Sequence, residues 1–183
     1  MLVYIVALLS IQSTMGYGID KFKELWGDGA LEVVAYLIVG AGALVVVWAV
    51  WTVWARCSAA ERAWIGLALL LYAAGTLNAR YPQERLHYLG YGLLAILLYV
   101  GFARDRAARD RATVDGVASG GRPAELAPAF AAFVLGCAVG FADELLQILW
   151  PRRYFDWADV GMNVVAVGLG LLVAIPLWNA LRR

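Results

Sequence analysis

Residues 31–54, LEVVAYLIVGAGALVVVWAVWTVW, hold one charged side chain, Glu32, in 24 positions. As a helix at about 1.5 Å per residue the run reaches about 36 Å, enough to cross a hydrocarbon core of about 30 Å. Inside such a core each backbone N–H and C=O must be satisfied within the segment, so a helix is the form a single apolar run can take. Four further runs, 63–79, 86–103, 128–149 and 159–180, have the same character. The chain as a whole is 63% hydrophobic, with mean hydropathy +0.71. Soluble domains are about 45–50% apolar, so the composition places this chain in the membrane.

The predicted fold class is therefore all-α, a polytopic transmembrane helix bundle of five to six spans. The uncertain span is the opening run, residues 1–17, which carries Gln12, Ser13 and Thr14 and either crosses or lies at the interface. It lacks the basic start of a secretory signal, so it is expected to stay in the mature chain. We divide the chain into a membrane extension of one or two helices, 1–59, and a four-helix membrane domain, 60–183. Cys57 and Cys137 read as small buried residues rather than as a disulfide. The formal net charge of +1 and the scattered basic residues exclude nucleic acid as a partner.

The linkers set the expected orientation. Segment 104–127, RDRAARDRATVDGVASGGRPAELA, contains Arg104, Arg106, Arg109, Arg111 and Arg122. The positive-inside rule puts this stretch in the cytoplasm, together with Arg56, Arg62, Arg182, Arg183 and the C-terminus. Lys21, Lys23, Arg80, Arg85, Arg152 and Arg153 then lie on the other side. The alternating Arg and Asp of 104–111 suit a solvated helical extension with local ion pairs, broken at SGGRP. Trp150, Trp157, Trp178, Tyr81 and Tyr88 fall near predicted helix ends, where interfacial aromatics belong.

That topology brings the unusual polar residues to one membrane face. The turn between the second and third spans supplies Arg80, Glu84, Arg85 and His87, and the end of the fourth supplies Asp143, Glu144 and Gln147. The next turn and helix add Arg152, Arg153, Asp156, Asp159 and Asn163. Asp143 with Gln147, Glu144 with Gln147, and Asp159 with Asn163 are three or four residues apart, so each pair shares a helix face. Hydrocarbon offers these groups no water, so the faces are expected to turn inward, the acids paired with Arg85, His87, Arg152 or Arg153. His87, Asp143 and Glu144 are the candidates for proton transfer, although no nucleophile motif accompanies them. No HExxH-type spacing is present, and neither a metal nor another cofactor is expected. Gly161, Gly168 and Gly170, with Ala166, give the last helix a small-residue surface suited to close packing. Trp48, Trp51 and Trp54 lie on one face of the first long run and could dock other membrane subunits or face lipid.

The stretch HYLGYGLL (87–94), followed by DELLQILWPRRYFDWADVGMN (143–163), resembles the VanZ-like family of membrane proteins. His87, Tyr91 and Leu94 match its His-x-x-x-Tyr-x-x-Leu signature. Asp143, Glu144 and Gln147, then Pro151 and Arg153, then Asp159 and Asn163 match its later motifs. Two positions depart: Gln83-Glu84-Arg85 stands where an acidic-basic pair often precedes the histidine, and Ala166 where glycine is common. The likeness covers about residues 60–180, and the leading section 1–59 is expected to lie outside it. It implies a bacterial inner-membrane protein facing the cell envelope, in the manner of the teicoplanin-resistance protein that names the family. The expected ligand site is Arg85, His87, Tyr91, Asp143, Glu144, Gln147, Arg152, Arg153, Asp159 and Asn163. Its expected occupants are membrane lipid or an amphiphilic, lipid-linked envelope molecule. A non-catalytic subunit of a larger complex, docked through 1–59, and an enzyme acting on a lipid-linked substrate are the alternatives.

Overall fold

The structure is a computed structural model that describes residues 5, 18, 21–79, 82–112, 126–149 and 154–183. Among these residues there are helices and no strand. Five long helices follow in order: α1 (Asp28–Val53), α2 (Ala59–Asn78), α3 (Pro82–Ala112), α4 (Leu126–Gln147) and α5 (Trp157–Arg182). Each of the five predicted spans matches one of them, with 31–54, 63–79 and 128–149 running one or two residues past the helix end. Four of the helices are long and apolar enough to cross a membrane: α1, α3, α4 and α5. The fifth, α2, has 20 residues but begins AAERAW and ends TLN, and these polar ends keep it below that standard. The opening run 1–17 lies outside the described residues apart from Ile5.

Gly27 separates α1 from the helical residues 21–26, with φ of 81° and its N–H donating to the Lys23 carbonyl at 2.9 Å. That left-handed conformation suits glycine and ends a helix cleanly. At the other end of α1 a 3-10 turn, Trp54–Arg56, leads to Ser58, which caps α2 reciprocally: the Glu61 N–H donates to Ser58 Oγ at 3.3 Å, and the Ser58 N–H donates to Glu61 Oε2 at 2.7 Å. Arg183 closes the same corner, donating to both Glu61 carboxylate oxygens at 2.9 Å and to the Arg56 carbonyl at 3.1 Å. The start of α2 and the ends of α1 and α5 therefore lie together.

The core is built around α3 and α5, which make the most extensive contact in the molecule. Leu94, Ala95, Leu98 and Tyr99 of α3 pack with Ala132 and Val139 of α4 and with Ala166, Val167 and Leu171 of α5. A smaller cluster, Val50, Val53, Cys57, Ile65 and Ala180, joins α1 and α2 to the end of α5. Tyr72 of α2 donates across to the Ala166 carbonyl at 3.0 Å. Both cysteines are free.

Close approach depends on glycine at particular places. A Cβ on Gly170 would run into the Gly92 carbonyl oxygen, so α3 and α5 touch backbone to backbone there. A Cβ on Gly140 would lie 2.8 Å from the Asn163 Cβ, which fixes the α4–α5 spacing. The predicted small-residue surface is thus correct at Gly170 and Ala166. Gly161 and Gly168 point into open space, because they lie on other faces of α5.

The Arg-rich segment after the third span is helical as far as Ala112. It carries the expected i,i+4 pairs, Arg109 to Asp105 at 3.0 Å and Arg106 to Asp110 at 3.9 Å. Residues 113–125 lie outside the described residues.

Candidate functional site

The buried face of α3 changes chemistry along its length. His87, Tyr91, Leu94 and Leu98 recur at four- and three-residue intervals, and all four are buried. The first two present an imidazole and a phenol, and the rest is hydrocarbon. In α4 the buried stripe Val139, Gly140, Asp143, Glu144 and Gln147 does the reverse, ending in polar groups. The polar start of α3 therefore faces the polar end of α4, and Asn163, in the second turn of α5, completes the enclosure.

The contacts are specific. Asn163 Nδ2 donates to the Gly140 carbonyl at 3.3 Å, which turns its Oδ1 toward His87 Nδ1 at 3.0 Å. Since an amide oxygen only accepts, this contact requires a proton on His87 Nδ1. Tyr91 donates its hydroxyl to Asp143 Oδ2 at 2.9 Å, and Gln147 Nε2 donates to Glu144 Oε1 at 2.7 Å. The rings of His87 and Tyr91 stack at 5.9 Å. Asp143 and Glu144 are each 0% exposed. One ligand-type atom from each of His87, Asp143 and Glu144 lies within 4.8 Å of the others, so these three residues could hold a metal ion. Chemically the cluster offers carboxylate and amide oxygens to hydrogen-bond donors, and an imidazole for proton exchange.

The predicted site separates on inspection. His87, Tyr91, Asp143, Glu144, Gln147 and Asn163 come together in one buried cluster. Asp159 is half-buried, one turn before Asn163 on α5. Arg85 is a correction. It is buried, but its guanidinium approaches Glu32 of α1 at 3.5 Å and lies 4.3 Å over the Tyr36 ring rather than meeting Asp143 or Glu144. Two residues along a helix is about 200° of rotation, so when His87 faces α4 and α5, Arg85 faces α1. Asp156 serves α5 as its cap, accepting from the Ala158 N–H at 2.7 Å. Arg80, Tyr81, Trp150, Pro151, Arg152 and Arg153 lie outside the described residues. Reasoning from sequence missed the Gly140 carbonyl and Glu32. The first carries no side-chain signal, whereas a lone acid in an apolar run was visible.

Membrane-length helices around an enclosed polar cluster define a polytopic α-helical membrane protein. The chain belongs to the VanZ/LLP1 family, whose sequence model matches residues 4–179. The match takes in nearly all of 1–59 as well as 60–180, which corrects the expectation that the leading section stands outside the family. Comparison with curated proteins gave no match, and comparison with solved structures gave none.

Proposed function

We propose that the cluster at the junction of α3, α4 and α5 binds the polar head of an amphiphilic, lipid-linked cell-envelope molecule, a role of the glycopeptide-resistance kind. The observation that carries this reading is the joint burial of His87, Asp143 and Glu144 with ligand-type atoms within 4.8 Å. Buried ionisable groups inside membrane segments are costly, and they commonly mark substrate, ion or proton sites. Asp143, Glu144 and Asn163 are acceptor-rich, so they suit hydroxyl, amide or ammonium donors of a sugar or peptide head. Arg152 and Arg153, which follow α4 in the sequence, are assigned to the phosphate or carboxylate of the same ligand. The arginine-rich ends of α3 and α5 are assigned to the cytoplasm of a bacterial inner membrane, which turns the cluster toward the envelope.

A second reading, an accessory subunit of a larger assembly, draws on α1. Little of its apolar length is buried, and Trp48 and Trp51 are 67% and 78% exposed. Purification in mild detergent, followed by mass spectrometry of bound lipid, separates the two. A lone chain that retains a lipid-linked sugar or peptide, lost in Glu144→Gln, supports the site. A stable complex with other membrane proteins and no such lipid supports the subunit reading and overturns the first.

A further inference from the structure

The opposite end of the bundle carries a different kind of site. Arg56, Arg62, Arg104, Arg106, Arg109, Arg111, Arg182 and Arg183 lie there against three side-chain carboxylates, Glu61, Asp105 and Asp110. The Arg183 contacts to Glu61 and Arg56 tie the ends of α1, α2 and α5 together. A cavity of about 60 Å³ brings in the end of α3 and the start of α4, and it is lined in part by Ala103, Arg106, Ala107, Pro128, Trp178 and Arg182.

Small side chains make the hollow. Ala103 and Ala107 are one turn apart on α3 and buried, so α5 and α4 approach them without filling the space above. Cations rim it. Arg182 lies 5.8 Å over the Trp178 ring and has no carboxylate partner among the described residues. Arg106 Nε lies 3.9 Å from Asp110, an ion pair too long for a hydrogen bond, which leaves the Arg106 donors for another acceptor. The partial positive charge at the start of α4 adds to the field. Exposed hydrocarbon neighbours the lining residues along both helices: Leu126 and Phe130 flank Pro128 on α4, and Leu181 adjoins Arg182 on α5. An anion with apolar tails matches this arrangement better than a soluble anion.

We propose that this groove is a headgroup site for an anionic phospholipid. Arg106 and Arg182 donate to the phosphate oxygens, Trp178 sits at headgroup level, and the acyl chains run along α4 and α5. The proposal is independent of the envelope-facing cluster and stands whether or not that site binds a ligand.

The test is native mass spectrometry of the full chain in detergent, titrated with phosphatidylglycerol or phosphatidylcholine. Wild type should retain one phosphatidylglycerol in preference to phosphatidylcholine. Arg106→Gln with Arg182→Gln should reduce that retention about thirtyfold, as expected for two cations near a lipid phosphate. Lysine at both positions should restore most of it. The control pair Arg104→Gln with Arg109→Gln removes equal charge outside the groove and should change retention less than about twofold. Equal retention of the two lipids, or equal loss in the groove and control pairs, would overturn the assignment. Displacement of the lipid by millimolar inorganic phosphate would mark a soluble-anion site and overturn it also. Thermal midpoints of all variants are measured alongside, and the lysine variant keeps the test decisive if the glutamine pair fails to fold.

Discussion

Asp143 and Glu144 are neighbours in sequence, about 100° apart around α4, yet both are fully buried. They can be because α4 packs against α3 and α5 at once, so two adjacent positions face inward. Each carboxylate receives a donor from a different source, Tyr91 on α3 and Gln147 one turn on in α4. Tyr91→Phe removes a hydroxyl that is a buried donor and leaves an acceptor behind. It is expected to cost about 1–3 kcal/mol of stability, read as earlier unfolding in mixed detergent–SDS micelles. Unchanged unfolding would mean that the Tyr91–Asp143 bond is not formed. The identity of these residues was legible in sequence, because an acid inside an apolar run is conspicuous. The two-residue spacing already set Arg85 on the face opposite His87, but its partner Glu32 on α1 was not legible, since which helix packs there is decided by the fold.

Between elements, the α3–α5 and α4–α5 spacings rest on Gly170 and Gly140. Gly140→Ala presses a methyl against Asn163, the residue that orients His87, and should destabilise by about 1–3 kcal/mol. Gly168→Ala, with nothing within 4 Å, should be neutral or stabilising by up to about 1 kcal/mol through helix propensity. The same unfolding assay compares them, and equal effects would contradict the close contact at Gly140. Composition marks all these glycines alike, so only the packed structure distinguishes them. The Ser58–Glu61 spacing, by contrast, is a helix-start signal readable from sequence. At that corner the Ser58 N–H, then its hydroxyl partner and Arg183, hold the Glu61 carboxyl below its ordinary range against the opposing effect of burial. A lowered folded-state value means that the stabilisation is present above the unfolded carboxyl's value and is lost as pH falls through the folded one. Glu61→Gln should therefore lower the thermal midpoint at neutral pH and flatten its decline on acidification. An unaltered acid profile would show that the carboxylate contributes nothing.

Over the whole molecule, apolar length made the helices legible and helical spacing made the polar faces legible. The span count was less so, because the polar ends of α2 leave it just short of the apolar length that marks the other four. The molecule divides into an arginine-rich end and an end holding the buried acids. If the basic end is cytoplasmic, a C-terminal green fluorescent protein fusion should fluoresce and a C-terminal alkaline phosphatase fusion should be inactive. The reverse pattern would put the acidic cluster on the cytoplasmic side.

The central claim is that the buried cluster of His87, Asp143 and Glu144 is a binding site. Its most direct test is the affinity of the purified chain for a polyprenyl-diphosphate-linked sugar, with Glu144→Gln and Asn163→Ala measured beside wild type and folding confirmed for each. Loss of a hydrogen bond to a charged partner is worth about 1.5–3 kcal/mol, so Glu144→Gln should weaken binding about tenfold or more. Saturable wild-type binding that falls in both variants is the predicted result. The same affinity in all three proteins, or no saturable binding by wild type, would contradict it.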